Sequence, residues 1–145
     1  MGLKWASILA FVVLVLAMLG LMLRHSFFAK GLFAIALQVL SIALMLWARL
    51  AFGIRSFHAT ANPTEGGLVT TGPYRFLRHP IYSAILYFLW AGVLSHISIV
   101  SCLLALVATA ALAARIAAEE KLLVKRYPEY ATYAAKTKRV IPFVY

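Results

Sequence analysis

Two uncharged apolar runs near the start constrain this chain most: "ASILAFVVLVLAMLGLML" at 6–23 and "GLFAIALQVLSIALMLWA" at 31–48. Each is about as long as the shortest helix that crosses a bilayer. Inside hydrocarbon such a run must be helical, because every backbone N–H and C=O needs a partner within the segment. Two more runs, 81–94 and 97–114, continue the pattern. The expectation is an all-α integral membrane protein, a single domain over residues 1–145 with four transmembrane helices. Composition agrees: 64% of residues are hydrophobic and 12% charged, where a soluble domain carries about a quarter charged. A cleaved signal peptide fits 6–23 less well. Its apolar core would be shorter and would lead into a small-x-small site, whereas Arg24-His25-Ser26-Phe27-Phe28 follows.

Only Ser95-His96 separates the third and fourth runs, which predicts a tight antiparallel hairpin. After residue 114, "ARIAAEEKLLVKRY" has strong helix formers and no Gly or Pro before Pro128, so the fourth helix should continue out of the membrane. Loop 53–80 and tail 115–145 then lie on one face, where a site can be built from both. Lys and Arg set the orientation. Twelve basic residues fall on the side of the two ends and loop 53–80, against Arg24 and Lys30 opposite. Both termini are therefore expected in the cytoplasm, and the membrane is the inner or plasma membrane if the source is prokaryotic.

The net charge of +10 on so apolar a chain points to an anionic membrane face and membrane lipids as partners, not to nucleic acid, for which no basic helix stands apart from the spans. Cys102 is the only cysteine, so no intrachain disulfide or cysteine metal cluster can form. The four histidines have no metal-ligand spacing, and there is no Asp, no GxGxxG, no P-loop and no HExxH. Nothing in the sequence sets an oligomeric state.

The polar interruption "LVTTGPYRFLRHPIYSA" at 68–84 is where chemistry can reside. Thr71-Gly72-Pro73-Tyr74 reads as a turn. Pro80 suits the first helical position, which places His79 at the N-cap, beside N–H donors and partial positive charge that favour an anion. Arg75 and Arg78 read as anchors on the positive side. On the fourth helix Arg115 and Glu119 are four apart and share a face. Glu119 and Glu120 are half of the acids in the chain. Acids at a membrane boundary are costly unless paired or functional, and a carboxylate there can balance a cationic ligand.

"GPYRFLRHPIY", followed after a hairpin by "EEKLLVKRYPEYATYAAKTKRVIPF", resembles the isoprenylcysteine carboxyl methyltransferase family, itself related to the phospholipid N-methyltransferases. "LWARLAFGIRSF" and "GGLVTTGPYR" share the resemblance, which covers about residues 44–143. It implies an integral membrane methyltransferase using S-adenosylmethionine without a Rossmann domain, with a lipophilic small molecule or lipid as acceptor. By the same resemblance, Gly66, Gly67, Leu68 and Val69 line the cofactor through their backbone. Tyr74 contacts it, and His79, Pro80, Ile81 and Tyr82 form the motif part of the pocket. Glu119 is the acidic cofactor-binding residue, with Glu120 beside it, and Arg115 faces the reacting group of the acceptor. Two positions depart from the family: Ala84 stands where Gly is usual, and Gly66 where a polar residue is common. A carboxylate acceptor is preferred because a guanidinium orients it in bidentate fashion. The alternatives are N-methylation of a phospholipid headgroup and a non-catalytic membrane scaffold.

Reporter fusions after Leu23, His96 and Tyr145 check the topology. Cytoplasmic signal is expected at Tyr145 alone; signal from the opposite side there contradicts four spans.

Overall fold

The computed structural model describes residues 2–53 and 67–142, without the side chains of residues 3 and 4. The described residues are helical: α1 Gly2–Leu23, α2 Leu32–Phe52, α3 Pro80–Leu94, α4 Ile99–Arg126 and α5 Tyr130–Lys136, with a 3₁₀ turn at Gly72–Arg75. Helices α1, α2 and α4 are long and apolar enough to cross a membrane. At fifteen residues α3 is shorter, about 22 Å at 1.5 Å per residue. Leu9, Leu16, Leu32, Phe33, Leu40, Leu50, Ile99 and Leu103 are exposed around the outside, the face a protein in lipid presents.

The helix ends follow local chemistry. α2 runs past the expected end at 48 because Arg49 is a good helix former; it stops at Gly53, whose φ of 74° leaves the helical region. The α3–α4 connection is four residues rather than two. Ser98 caps α4, its Oγ accepting from Ser101 N at 3.1 Å, so the helix starts at Ile99. α4 continues unbroken to Arg126, as expected, and ends before Pro128. α5 was not expected; a helix of seven residues is too short to give much sequence signal.

α3 and α4 run antiparallel as the hairpin expectation has it, with Trp90 Nε1 donating to Thr109 Oγ1 at 3.1 Å and Tyr82 Oη to Glu119 Oε2 at 2.9 Å, but each packs more extensively on another helix, α4 on α1 and α3 on α2. Small residues explain the first pairing. Ala10, Leu14, Ala17 and Leu21 repeat along one face of α1 and meet Ala105, Ala108, Ala111 and Leu112 of α4 in the buried core. Alanines let backbones approach, which is what drives association where water is absent.

The α1–α2 loop is wedged among the helices. Gln38 of α2 donates to Phe27 O at 2.8 Å and to Phe88 O at 3.0 Å, and its Oε1 accepts from Ala29 N at 3.0 Å. Gly92 of α3 lies against the same loop: a Cβ there would come 2.4 Å from Phe27 O and 2.7 Å from Ser26 O. Backbone carbonyls cannot swing away as a side-chain tip can. Gly92→Ala is expected to destabilise the fold by about 1–3 kcal/mol, the usual cost of overpacking, read as a lower unfolding midpoint in detergent. An unchanged midpoint contradicts the wedge.

Candidate functional site

Gly72 fixes the approach of the polar segment to the bundle. Its φ is +58°, and a Cβ would sit 2.8 Å from Ala51 Cβ and 3.2 Å from Trp47 Nε1. Only glycine meets both demands easily. The turn buries Tyr74, whose ring lies 5.5 Å from that of Phe52. Beyond the turn the chain pairs with the tail. Lys138 N donates to Phe76 O (3.0 Å), Arg78 N to Lys138 O (2.7 Å) and His79 N to Arg139 O (3.1 Å). Ser83 Oγ and Tyr87 Oη both donate to Val140 O, at 2.8 and 2.6 Å. From α5, Tyr133 Oη donates to Tyr74 O at 2.7 Å. Burial, chiefly, pushes the Tyr133 phenol up to about 12. Burial and then the charge of Glu119 raise Tyr74. Both phenols are neutral donors at any physiological pH.

Adjacent residues on a helix point about 100° apart, so Glu119 and Glu120 face different partners. Glu119 Oε2 accepts from Tyr82 Oη at 2.9 Å. Glu120 sits among three basic side chains: His79 Nε2 at 3.3 Å, Arg78 Nη1 at 3.5 Å, and Arg139, whose Nε and Nη2 each reach Oε2 at 3.1 Å. The rings of His79 and Tyr82 stack, with centroids 5.7 Å apart.

Arg115 is buried, at 3% exposure. Its Nη1 donates to Ser7 O on α1 (3.0 Å), and Nε and Nη2 approach Tyr82 Oη at 3.4 and 3.3 Å. Its guanidinium carbon lies 5.3 Å from the centre of the Phe11 ring and 5.8 Å from that of Tyr82, within cation–π range. The spacing of Arg115 and Glu119 thus leads to a shared partner, the Tyr82 phenol oxygen.

The structure gathers Tyr82, His79, Arg115, Glu119 and Glu120 into this cluster. Pro80 is buried at the first position of α3 and Ile81 half-buried behind it. Gly67 has φ +86° with open space where a Cβ would be; Leu68 and Val69 are half-buried, and Gly66 lies outside the described residues. His79 occupies the N-cap position, but its side chain makes no cap bond and turns to Glu120 instead. At the start of α3 the His79 N–H is taken by Arg139 O. Arg78 is no simple surface anchor: its side chain is 15% exposed and faces Glu120. Arg75 is exposed, its guanidinium 5.9 Å from the Phe76 ring centre. Sequence reasoning missed Ser7, Arg78, Tyr133 and Arg139. Only the "RVIP" ending hinted at Arg139; no local spacing joins it to a glutamate nineteen residues earlier.

A second feature lies deeper in the bundle. An apolar cavity of about 240 Å³ opens among α1, α2 and α3, lined by residues that include Met18, Phe27, Met45, Ala84, Ile85 and Phe88. Ile85 is one turn along α3 from Tyr82.

Residues 28–130 match the sequence model of a family described as phospholipid methyltransferase. The matched stretch takes in α2, the polar segment, α3, α4 and the first residue of α5. Among curated proteins, the chain is 37% identical over 76 residues to the cobalt-zinc-cadmium resistance protein CzcN of Cupriavidus metallidurans, a match covering 52% of this chain and 35% of that protein. The chain thus spans about a third of the length of the curated relative it matches. No solved structure matches it.

Proposed function

The chain belongs to the phospholipid methyltransferase family, and on that footing we propose that it is a membrane methyltransferase moving a methyl group from S-adenosylmethionine to a lipophilic acceptor. The observation that carries the cofactor is Glu119. Among the described residues Glu120 is surrounded by three basic groups, whereas the contact found for Glu119 is a neutral phenol. A half-buried carboxylate next to aromatic rings, on a chain of net charge +10, fits a cationic ligand. The residues present therefore suit this cofactor: Glu119 for its positive part, Tyr74 and Tyr82 for ring packing, and Gly67, Leu68, Val69, His79, Pro80 and Ile81 as walls, with Gly66 by resemblance. Arg78 Nε, buried with no partner among the described residues, is a donor suited to the cofactor's carboxylate.

When bound, S-adenosylmethionine supplies a methyl group on a sulfonium cation. The chain's part is to align and to exclude water, since displacement at such a carbon depends on geometry more than on acid or base. Tyr82 holds Glu119 and Arg115 at fixed positions through one oxygen. Arg115, braced by Ser7 O and Phe11, then orients an anionic acceptor. The cavity beside Ile85 takes its hydrocarbon, and Ala84 in its wall narrows it by one methyl relative to glycine. This supports a carboxylate acceptor. The family description supports a second reading, N-methylation of a phospholipid amine, in which Arg115 disfavours the protonated amine. Four membrane crossings with both termini and the site in the cytoplasm complete the proposal, supported by the basic residues gathered at that end.

Calorimetry with S-adenosylhomocysteine and transfer of labelled methyl groups to lipophilic acids, thiols and amines test it. Glu119→Gln is expected to weaken binding by about 1.5–3 kcal/mol, the scale of a charge-assisted hydrogen bond. Arg115→Lys keeps charge but loses the planar fork, so turnover of a lipophilic acid should fall while cofactor affinity stays. Absence of binding by the folded parent refutes the cofactor. Full activity of Arg115→Ala on a lipophilic acid refutes the orienting role and leaves the amine reading.

A further inference from the structure

The two adjacent glutamates are not equivalent, and the tail explains the difference. Segment 137–140 has no helix of its own, yet it is held at four backbone points: Lys138 N and O to the chain at Phe76 and Arg78, Arg139 O to His79 N, and Val140 O to Ser83 and Tyr87. All of these join the tail to the polar segment and α3. The bond from this stretch to α4 is made by a side chain, Arg139, which places Nε and Nη2 on the Glu120 carboxylate. The same carboxylate holds Arg78 and His79, residues whose N–H groups the tail already binds. Glu120 therefore stands where α4, the start of α3 and the tail meet.

We propose that Glu120 is a positioning residue. It buckles the 137–140 strap across the start of α3 and thereby sets Tyr82 and Tyr74 for the cofactor, without touching the cofactor itself. The inference rests on the cofactor reading above and divides the acidic pair: Glu119 faces the ligand, and Glu120 faces the strap. The physical basis is charge balance. One carboxylate between two guanidiniums is more than neutralised and has little attraction left for a cationic ligand. Removing its charge leaves the guanidiniums of Arg78 and Arg139 near each other without the carboxylate that joins them, so the strap is pushed off rather than merely released. His79 stacks on Tyr82, and Tyr133, just before the strap, holds Tyr74 O. A loosened strap thus reaches both tyrosines.

The test uses the full chain in detergent, with Glu120→Gln, Arg139→Gln, the double variant and Glu119→Gln. Hydrogen–deuterium exchange reads the strap at the amides of Arg78, His79 and Lys138, and calorimetry reads S-adenosylhomocysteine. Glu120→Gln and Arg139→Gln should each speed exchange at those amides and weaken S-adenosylhomocysteine by a similar factor, about tenfold for one charge-assisted contact. The double variant should be no worse than either single one. Glu119→Gln should weaken binding with the strap amides still protected. The proposal is overturned if Glu120→Gln weakens binding while the amides stay protected, since Glu120 would then contact the ligand. It is also overturned if the amides exchange freely with affinity unchanged, since the strap would then be structural only. The exchange arm holds for any ligand. If no variant and no parent binds S-adenosylhomocysteine, it is the cofactor reading that fails, and loss of strap protection in Glu120→Gln still decides whether the buckle exists.

Discussion

One phenol oxygen joins three helices of this bundle. Tyr82 on α3 donates a hydrogen bond to Glu119 on α4 and takes N–H contacts from Arg115, whose other arm holds the Ser7 carbonyl of α1. In a water-poor interior a buried guanidinium needs every acceptor it can find, and here they come from two other helices. The requirement fixes the register of α1 against α4 and the rotation of α3 beside α4. The Ala10–Leu14–Ala17–Leu21 face of α1 can then close on the alanines of α4. Polar satisfaction and apolar packing select the same arrangement, which is how a small membrane protein obtains one structure instead of several.

The site is a consequence of that arrangement at the basic end of the bundle. α4 continues beyond its apolar part and brings two acids to the level of the RHPIY segment. Helical geometry then sends them in different directions. One meets a neutral hydroxyl and the other two guanidiniums and an imidazole. The tail supplies one of those guanidiniums and closes the start of α3 with backbone bonds. The described residues thus gather a polar cluster from the polar segment, two helices and the tail.

Much of this was legible in the sequence. The uncharged runs at 6–23 and 31–48 announced helices because their length and composition admit little else, and Pro80 and Pro128 marked real helix boundaries. Arg115 and Glu119 could be grouped by helical spacing, and Tyr82, 33 residues before Arg115, joined them through the family resemblance. The pairing of α1 with α4 could not be read, since alanine faces carry no address and a two-residue gap suggested a different neighbour. Arg139 and Glu120 were equally hidden. Their contact depends on a tail that folds back through backbone hydrogen bonds, and those bonds are indifferent to side-chain identity. His79 shows the same limit: its N-cap position was plain, but the carboxylate that draws its ring away from capping lies 41 residues on.

The central claim is that the two neighbouring carboxylates have different tasks, one toward a cationic cofactor and one toward the tail. An experimental structure of the protein with S-adenosylhomocysteine tests it most directly. The account predicts the ligand's amino group at Glu119, its sulfur near Tyr82, and Glu120 still bonded to Arg139. A ligand amine seated on Glu120, with Arg139 displaced, contradicts it.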